Sequence, residues 1–293
     1  MLELKRALRR FVSKLSGKNK FVFFIVIAML CIMAISIGIY TQYFYKYADT
    51  DPLMIGINTS SEKTAEELQL LEANFNALFT NSLKVNSENV NVTSKLDEGK
   101  DLLYTGYKLQ NEDENYFSVN AVIPLLNINT EKAKEINKAI KAEFHDKANT
   151  VMRQQEVYTV YNVSYVAYIN NDILSVAIKS SLREGNKSEK VSIKTFCYSL
   201  SAERQVTLKE LVELKEQTVE SVQSKIDSEI KTAYNNAKII AAEYGNLYER
   251  DLNSDMYKVE NAVTYFLTDD GYVYILYPYG NTDYTNEMDM VIF

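Results

Sequence analysis

Acid–base catalysis at neutral pH generally uses a histidine, and His145 is the only histidine of the chain. It follows Phe144 beside the apolar stripe of a predicted helix, and no catalytic motif accompanies it. A solvated or packed helix histidine is therefore favoured over a catalytic one. A histidine-rich zinc site is excluded, because one histidine cannot supply its ligands.

The two cysteines could form a disulfide or act as nucleophiles, but their positions favour neither role. Cys31 lies in an apolar segment that we predict to cross a membrane, and Cys197 lies in a predicted strand outside it. The two thiols therefore cannot pair. For Cys197, a small buried residue is favoured over a catalytic thiol or an intermolecular disulfide.

The acidic segment 251–255 has the spacing of the first half of a calcium-binding loop. Met256 stands where such a loop needs glycine, and Ala262 stands where it needs glutamate. An Asp-rich turn that leads into a strand is therefore favoured over a calcium site. The sequence has no glycine-rich phosphate loop, metalloprotease helix or nucleophile elbow. We predict a protein without enzymatic activity, metal or cofactor.

Tyrosine is the most distinctive residue type, since the chain has 22 Tyr and 12 Phe but no Trp. Aromatic rings on strands pack well in a core, and they also form adhesive binding faces. Tyr161, Tyr165 and Tyr168 lie on one predicted strand, so core packing and a recognition surface are both open for them. As a surface, they would suit cationic partners or sugars.

Hydrophobic periodicity predicts the elements that must position these residues. Capping-box pairs at Thr64 with Glu67 and at Thr207 with Glu210 mark two helix starts. The predicted elements are helices from about 64 and 130, a helical region from 207 with a buried stripe reaching 244, and strands at 102–109, 116–123, 161–169, 173–182, 191–200, 259–267, 272–277 and 288–293. Pro124 is expected to end the second strand. The pattern predicts an α+β fold, with antiparallel sheet and helices packed on one side.

Composition and charge narrow the function classes. The chain has 293 residues, of which 46% are hydrophobic, which is enough for a sizeable core. With 9 Gly and 3 Pro, collagen-like and Pro-rich architectures are excluded. The formal charge is −7, and residues 1–20 contribute +6, which leaves −13 for the remainder. The acidic charge of residues 21–293 argues against nucleic-acid binding, because that function needs a basic surface.

Residues 21–40 carry no charge and are long enough, at ~1.5 Å per residue, to span a bilayer as one transmembrane helix. The bases precede this segment, so residues 1–20 are expected to be a basic cytoplasmic tail on anionic lipid. Residues 41–61 are then a linker, and 62–293 form an extracytoplasmic α+β domain. A cleaved secretory signal is less favoured, because the apolar segment is longer than such signals usually have.

Several segments, taken in order, resemble a known extracytoplasmic bacterial domain. They are 123–126, 128–140 with Asn137, 161–182, 206–211, and 266–280 with its Asp-Gly turn. Over residues 115–293, the chain resembles the domain found in RsiV-type anti-sigma factors that sense lysozyme and beside peptidoglycan-deacetylase modules. The resemblance implies a binding or sensing domain and not a catalyst. Where that family commonly has a Gly-Gly-Ala-His segment, this chain has the polar segment 184–190.

We therefore predict a single-pass protein of a Gram-positive cell envelope, with an extracytoplasmic domain that binds or senses a ligand. The expected partners are membrane lipid, through residues 21–40 and the basic tail, and a cationic protein such as lysozyme or a cell-wall glycan. The alternatives are an anti-sigma-like regulator that responds to lysozyme or envelope stress, and a cell-wall-modifying enzyme. The candidate ligand contacts are Tyr161, Tyr165, Tyr168, Arg183, Lys187 and Lys190.

Overall fold

The computed structural model describes residues 65–85, 95–244, 250–278 and 288–293. The chain divides into two units, Met1–Lys63 and Thr64–Phe293, and the described residues belong to the second. The predicted basic tail, transmembrane helix, linker and first capping residue lie outside the described residues. Within the described ranges, no helix is both long enough and apolar enough to cross a membrane.

A seven-stranded sheet runs through the described unit. Its strands are β1 (Ser82–Val85), β2 (Leu103–Asp113), β3 (Phe117–Leu126), β4 (Thr159–Asn170), β5 (Ile173–Glu184), β6 (Lys190–Ser199) and β7 (Arg204–Gln205). The order is β2-β3-β4-β5-β6-β7, with β1 also beside β4. Most neighbours are antiparallel, as predicted, but the pairs β3–β4 and β1–β4 are parallel.

A helical crossover explains why β3 and β4 run parallel, since parallel neighbours cannot be joined by a hairpin. It comprises α2 (Glu131–Ile140), a π-helical turn (Lys141–His145) and α3 (Asp146–Val151). Thr130 starts α2 as predicted, and its side chain accepts a hydrogen bond from the backbone N–H of Ala133. Asn137 ties the helix to the sheet: its side-chain amide accepts from the backbone N–H of Leu126 at 2.8 Å and donates to the Leu126 carbonyl at 2.9 Å.

Two strands share one edge of β4. Strand β3 pairs with β4 over residues 117–121, and β1 pairs with it further along, over 82–85. Beyond residue 121, β3 pairs only with β2 among the described strands. Pro124 has no N–H, but no hydrogen bond to β4 is lost, because β3 and β4 are not paired at this position. The prediction that Pro124 ends this strand is therefore wrong, and β3 continues to Leu126.

Alternate residues of β4 point into two hydrophobic cores on opposite faces of the sheet. Tyr161, Val163 and Tyr165 belong to one core together with α2 and α3, whereas Val166 and Tyr168 belong to the other. A strand that is apolar on both faces needs a cover on both faces. The sheet therefore lies between two layers.

The second core is covered by three helices and a three-stranded antiparallel sheet. These are α1 (Ala65–Ala73), α4 (Leu208–Leu214), α5 (Val219–Tyr244), β8 (Tyr265–Leu267), β9 (Val273–Pro278) and β10 (Met288–Ile292). The prediction that helices pack on one side is thus wrong, because helices contribute to both cores. The capping box of Thr207 and Glu210 is confirmed, and so is the turn with Gly271 at φ +86°.

The hydrophobic stripe of α5 is buried only in the N-terminal half of the helix. Val222, Ile226 and Ile230 are at most 2% exposed, whereas Ile240 is 48% exposed. The prediction that this stripe stays buried to the helix end is therefore wrong for the C-terminal half. The N-terminal half is fixed on the core by these contacts and can hold its polar face in a defined position.

Candidate functional site

The three candidate tyrosines are core residues. Tyr161, Tyr165 and Tyr168 are at most 4% exposed, and the first two lie on the opposite face of the sheet from the third. Burial raises the pKa of Tyr161 to about 12. The expectation that these three rings share a binding surface is therefore wrong. They pack in the cores, which was the other alternative.

The three candidate basic residues lie on the hairpin between β5 and β6. Arg183, Lys187 and Lys190 are all exposed, and the turn is formed around Gly185 at φ +57°. Lys187 Nζ is 3.5 Å from a carboxylate oxygen of Glu184. The structure therefore brings these cations to one exposed turn but leaves the tyrosyl rings inside the cores, so the six candidates form no common surface.

His145 ends the π-helical turn and is packed by its neighbours. Its ring centroid is 4.0 Å from that of Tyr107 on β2. Its Nδ1 is 3.0 Å from Asp146 Oδ1, and the same oxygen accepts a hydrogen bond from Lys141 Nζ at 2.7 Å. Asn149 contacts both ring nitrogens at 3.2 and 3.3 Å. This is the packed helix histidine that the sequence favoured.

Cys197 lies on β6, and its buried side chain packs between β5 and β8. Its Sγ is 3.4 Å from Ser175 Oγ and donates a weak hydrogen bond to the Tyr265 carbonyl at 3.5 Å. Burial raises the pKa of this thiol to about 11. The prediction of a small buried residue agrees with this environment.

An open groove of about 650 Å³ lies between the N-terminal half of α5 and the segment 252–260, which includes the 3₁₀ helix Asp255–Tyr257 and the start of the 3₁₀ helix Val259–Asn261. Gln223, on α5, holds the segment 252–260 against the helix. Its amide nitrogen donates to the Tyr257 carbonyl at 3.0 Å, and its amide oxygen accepts from the Val259 N–H at 3.0 Å. Tyr257 and Val259 are themselves buried, so the wall is held both by packing and by hydrogen bonds.

The groove is acidic. Glu220, Asp227 and Glu260 line it and are exposed, and in the described part of the chain none of them forms an ion pair. Lys258 is the only basic lining residue, and its Nζ is 2.7 Å from Asp255 Oδ1. That contact lowers the pKa of Asp255 and neutralises the lysine locally. Leu252, Val219 and Tyr257 add apolar surface to the same groove.

Sequence reasoning does not reveal this groove, although it predicts the helix that forms one wall and the Asp-rich turn at 251–255 that begins the other. The seven-residue spacing from Glu220 to Asp227 places two carboxylates on one face of α5, to one side of the buried stripe. The segment 251–255 has the spacing of half a calcium-binding loop, but a turn is favoured there. In the structure the Asp251 carboxylate accepts the Asn253 N–H at 3.0 Å, as in an Asx turn. Within the described ranges, no group of three or more His, Cys, Asp or Glu side chains could hold a metal ion.

Comparisons with known proteins give a distant structural similarity. The sequence matches no protein-family model and no curated protein. Among solved structures, it is similar to a DUF3298 family protein from Pseudomonas aeruginosa, with a TM-score of 0.36 and 10% identity, over 64% of this chain and 85% of that chain. It is also similar to a member of the DUF3298 family from Bacteroides fragilis, with a TM-score of 0.31 and 11% identity, over 60% of this chain and 80% of the other.

Proposed function

We propose that this chain is a non-enzymatic, membrane-anchored binding or sensing protein of the bacterial cell envelope, and that its acidic groove binds a cationic partner. The observation that carries the proposal is the groove itself: three exposed carboxylates face one lysine, and that lysine is already paired with Asp255. A basic protein such as lysozyme is the partner that we expect. A cell-wall glycan is less suited to a surface of this charge.

The physics of exposed charges predicts how such a complex behaves. An exposed ion pair contributes only about 0.2–1 kcal/mol, so the three carboxylates act together with the apolar surface beside them. The body of the chain also carries −13 outside its first 20 residues, which attracts a basic partner over a longer distance. Binding should therefore weaken, but not vanish, as salt rises to a physiological concentration.

The proposed location depends on the apolar segment 21–40 and the bases before it. By the positive-inside rule, we expect the groove-bearing domain to lie outside the cell, where basic wall-degrading proteins would meet it. Membrane lipid is then the second partner, through the apolar segment and the basic tail.

Calorimetric titration with lysozyme tests the proposal, with the full-length chain held in an uncharged detergent. The groove variant is Glu220→Gln/Asp227→Asn/Glu260→Gln. The control variant, Glu112→Gln/Glu114→Gln/Glu156→Gln, removes three exposed carboxylates that do not line the groove.

We expect the groove variant to raise the Kd for lysozyme about tenfold, and the control to change it less than twofold. Equal effects of the two variants would mean that only the overall charge matters. Absence of binding by the wild-type chain would remove lysozyme as the partner.

A further inference from the structure

Half of one face of the seven-stranded sheet is left uncovered by the described part of the chain. Towards the end of β4, Val166 and Tyr168 are buried in the second core. Asn162 lies on the same face nearer the start of β4, because residues alternate between faces, and it is exposed. The strand register continues this surface over four strands. We call it the open face, and it is formed by every second residue, beginning with the first, of 108–112, 118–120, 160–164 and 179–183.

The open face is held in a fixed shape by the core on the other side of its strands. There, Val119, Ala121, Tyr161 and Val163 are at most 3% exposed and belong to the first core. At about 4.8 Å between neighbouring strands, the four strands present a surface about 14 Å wide. The side chains of the open face therefore stand at defined positions before a ligand arrives.

A row of amide and hydroxyl groups crosses the open face. In register from β2 to β5, the row consists of Gln110, Asn120, Asn162 and Ser181. The Gln110 amide donates to Asn120 Oδ1 at 3.4 Å. The Asn162 amide donates to Ser181 Oγ, also at 3.4 Å. Both hydrogen bonds are long, and each amide has two donor hydrogens and an acceptor oxygen, so the row keeps donors and acceptors for a ligand.

Two members of this row are of a residue type that strands disfavour. Asparagine is depleted in β-strands, yet Asn120 lies within β3, Asn162 lies within β4, and the two are opposite each other in the parallel pair. Both side chains are exposed, so neither fills a core. Contact with a ligand explains the two asparagines better than the stability of the sheet does.

The hydrogen-bonding groups and the charges of the open face select an uncharged glycan. Sugar hydroxyls both donate and accept hydrogen bonds, as the groups of the row do. The face carries both signs of charge, since Lys108 and Arg183 are exposed and so is Glu112. Lys179 donates to Asn76 Oδ1 at 3.0 Å. A charged ligand would meet a like charge here, and the acidic body would also repel an acidic polymer.

We propose that the open face binds an uncharged glycan strand, which lies across β2 to β5 and exchanges hydrogen bonds with the amides and hydroxyl of the row. This site goes beyond the proposed function, because it differs from the acidic groove in place, charge and ligand. Arg183, one of the candidate contacts from the sequence, lies on it. Lys190 is opposite Leu182, whose side chain points to the other face of the sheet.

Calorimetric titration with N-acetylchitohexaose, an uncharged glycan that carries hydroxyl and amide groups, tests the proposal. The full-length chain is held in a polyoxyethylene detergent, which has neither charge nor sugar. The face variant is Asn120→Val/Asn162→Val. The control variant, Asn235→Ala/Asn236→Ala, removes two exposed amides from α5. Valine is favoured in strands and alanine in helices, so neither variant should melt below the wild type.

The face variant should raise the Kd for N-acetylchitohexaose about tenfold, because hydrogen bonds from two amides are lost. The control variant should change this Kd less than twofold. The wild-type Kd should also change less than twofold between low and physiological salt, since the ligand has no charge to screen. The Kd of the face variant for lysozyme should stay within twofold of the wild-type value, because the groove is intact.

Four results would overturn the proposal. They are absence of binding to N-acetylchitohexaose by the wild-type chain, equal binding by the wild type and the face variant, tighter binding of the acidic hyaluronan hexasaccharide, and a wild-type dimer in sedimentation that the face variant makes monomeric. The last result would make the open face an interface between two copies. If the face variant melts below the wild type, Ser181→Ala decides: a raised Kd supports the site, and an unchanged Kd overturns it.

Discussion

At the residue scale, Cys197 shows how strongly the fold controls reactivity. Its thiol is enclosed between the two sheets, where burial raises its pKa to about 11 from the ordinary 9. At pH 8 the folded chain should therefore hold about a hundredfold less thiolate at this position than an unfolded chain does. We expect iodoacetamide to alkylate native Cys197 at least a hundredfold more slowly than the urea-unfolded chain.

The alkylation is measured by mass spectrometry on Cys31→Ser, so that Cys197 is the only thiol. The same chain in urea supplies the reference rate. Comparable rates in the folded and unfolded states would show an accessible, reactive thiol and would contradict the buried position.

The tyrosines show what the sequence can and cannot predict about the position of a single side chain. Strand alternation correctly separates Tyr161 and Tyr165 from Tyr168, because successive side chains point to opposite faces. Alternation does not say what covers each face. A cover of α2 and α3 on one side, and of α5 and β9 on the other, brings together residues far apart in the sequence. Whether a strand tyrosine is core or surface therefore depends on contacts that no local pattern contains.

At the element scale, the start of α4 is held by two interactions that meet at Glu210. Its carboxylate accepts from the backbone N–H of Thr207 at 2.7 Å, and it lies 2.6 Å from an Arg204 guanidinium nitrogen. The Arg204 hydrogen bond, followed by the Thr207 N–H, lowers the pKa of Glu210 to about 2 from the ordinary 4.5. Because the folded-state pKa is lowered, this stabilisation is present above pH 4.5 and is lost as the pH falls towards 2.

We expect Glu210→Gln to lower the free energy of unfolding by about 1 kcal/mol at pH 7, as for the loss of a capping interaction at a partly exposed site. The difference from the wild type should shrink as the pH falls from 4.5 to 2. Urea unfolding followed by circular dichroism measures both. Glu213→Gln, on the same helix, is the control. A difference that is constant across this pH range would refute the account.

The elements themselves could largely be predicted, because hydrophobic periods and caps are local. Thr130, Thr207 and the turn at Gly271 act as the sequence indicates. The groove could not be predicted, since its second wall consists of turns and short 3₁₀ helices and is held by Gln223, which lies 34 and 36 residues before its two partners in the chain. The stripe of α5 likewise predicts a helix and its apolar face but not where its cover ends.

At the scale of the whole molecule, two charged surfaces compete for the role of ligand site. The groove presents Glu220, Asp227 and Glu260, which suit a basic partner. The hairpin between β5 and β6 presents Arg183, Lys187 and Lys190, which suit an acidic one. An overall acidic body makes a basic partner the better match. The central claim is therefore that a basic partner binds, and that it binds in the groove.

Hydrogen–deuterium exchange of the full-length chain, with and without saturating lysozyme, tests that claim most directly. The account predicts that bound lysozyme slows backbone exchange in residues 219–227 and 252–260, the two walls of the groove. It predicts no change in the hairpin 183–190. Protection confined to that hairpin, or no protection of the groove at saturation, would contradict the account.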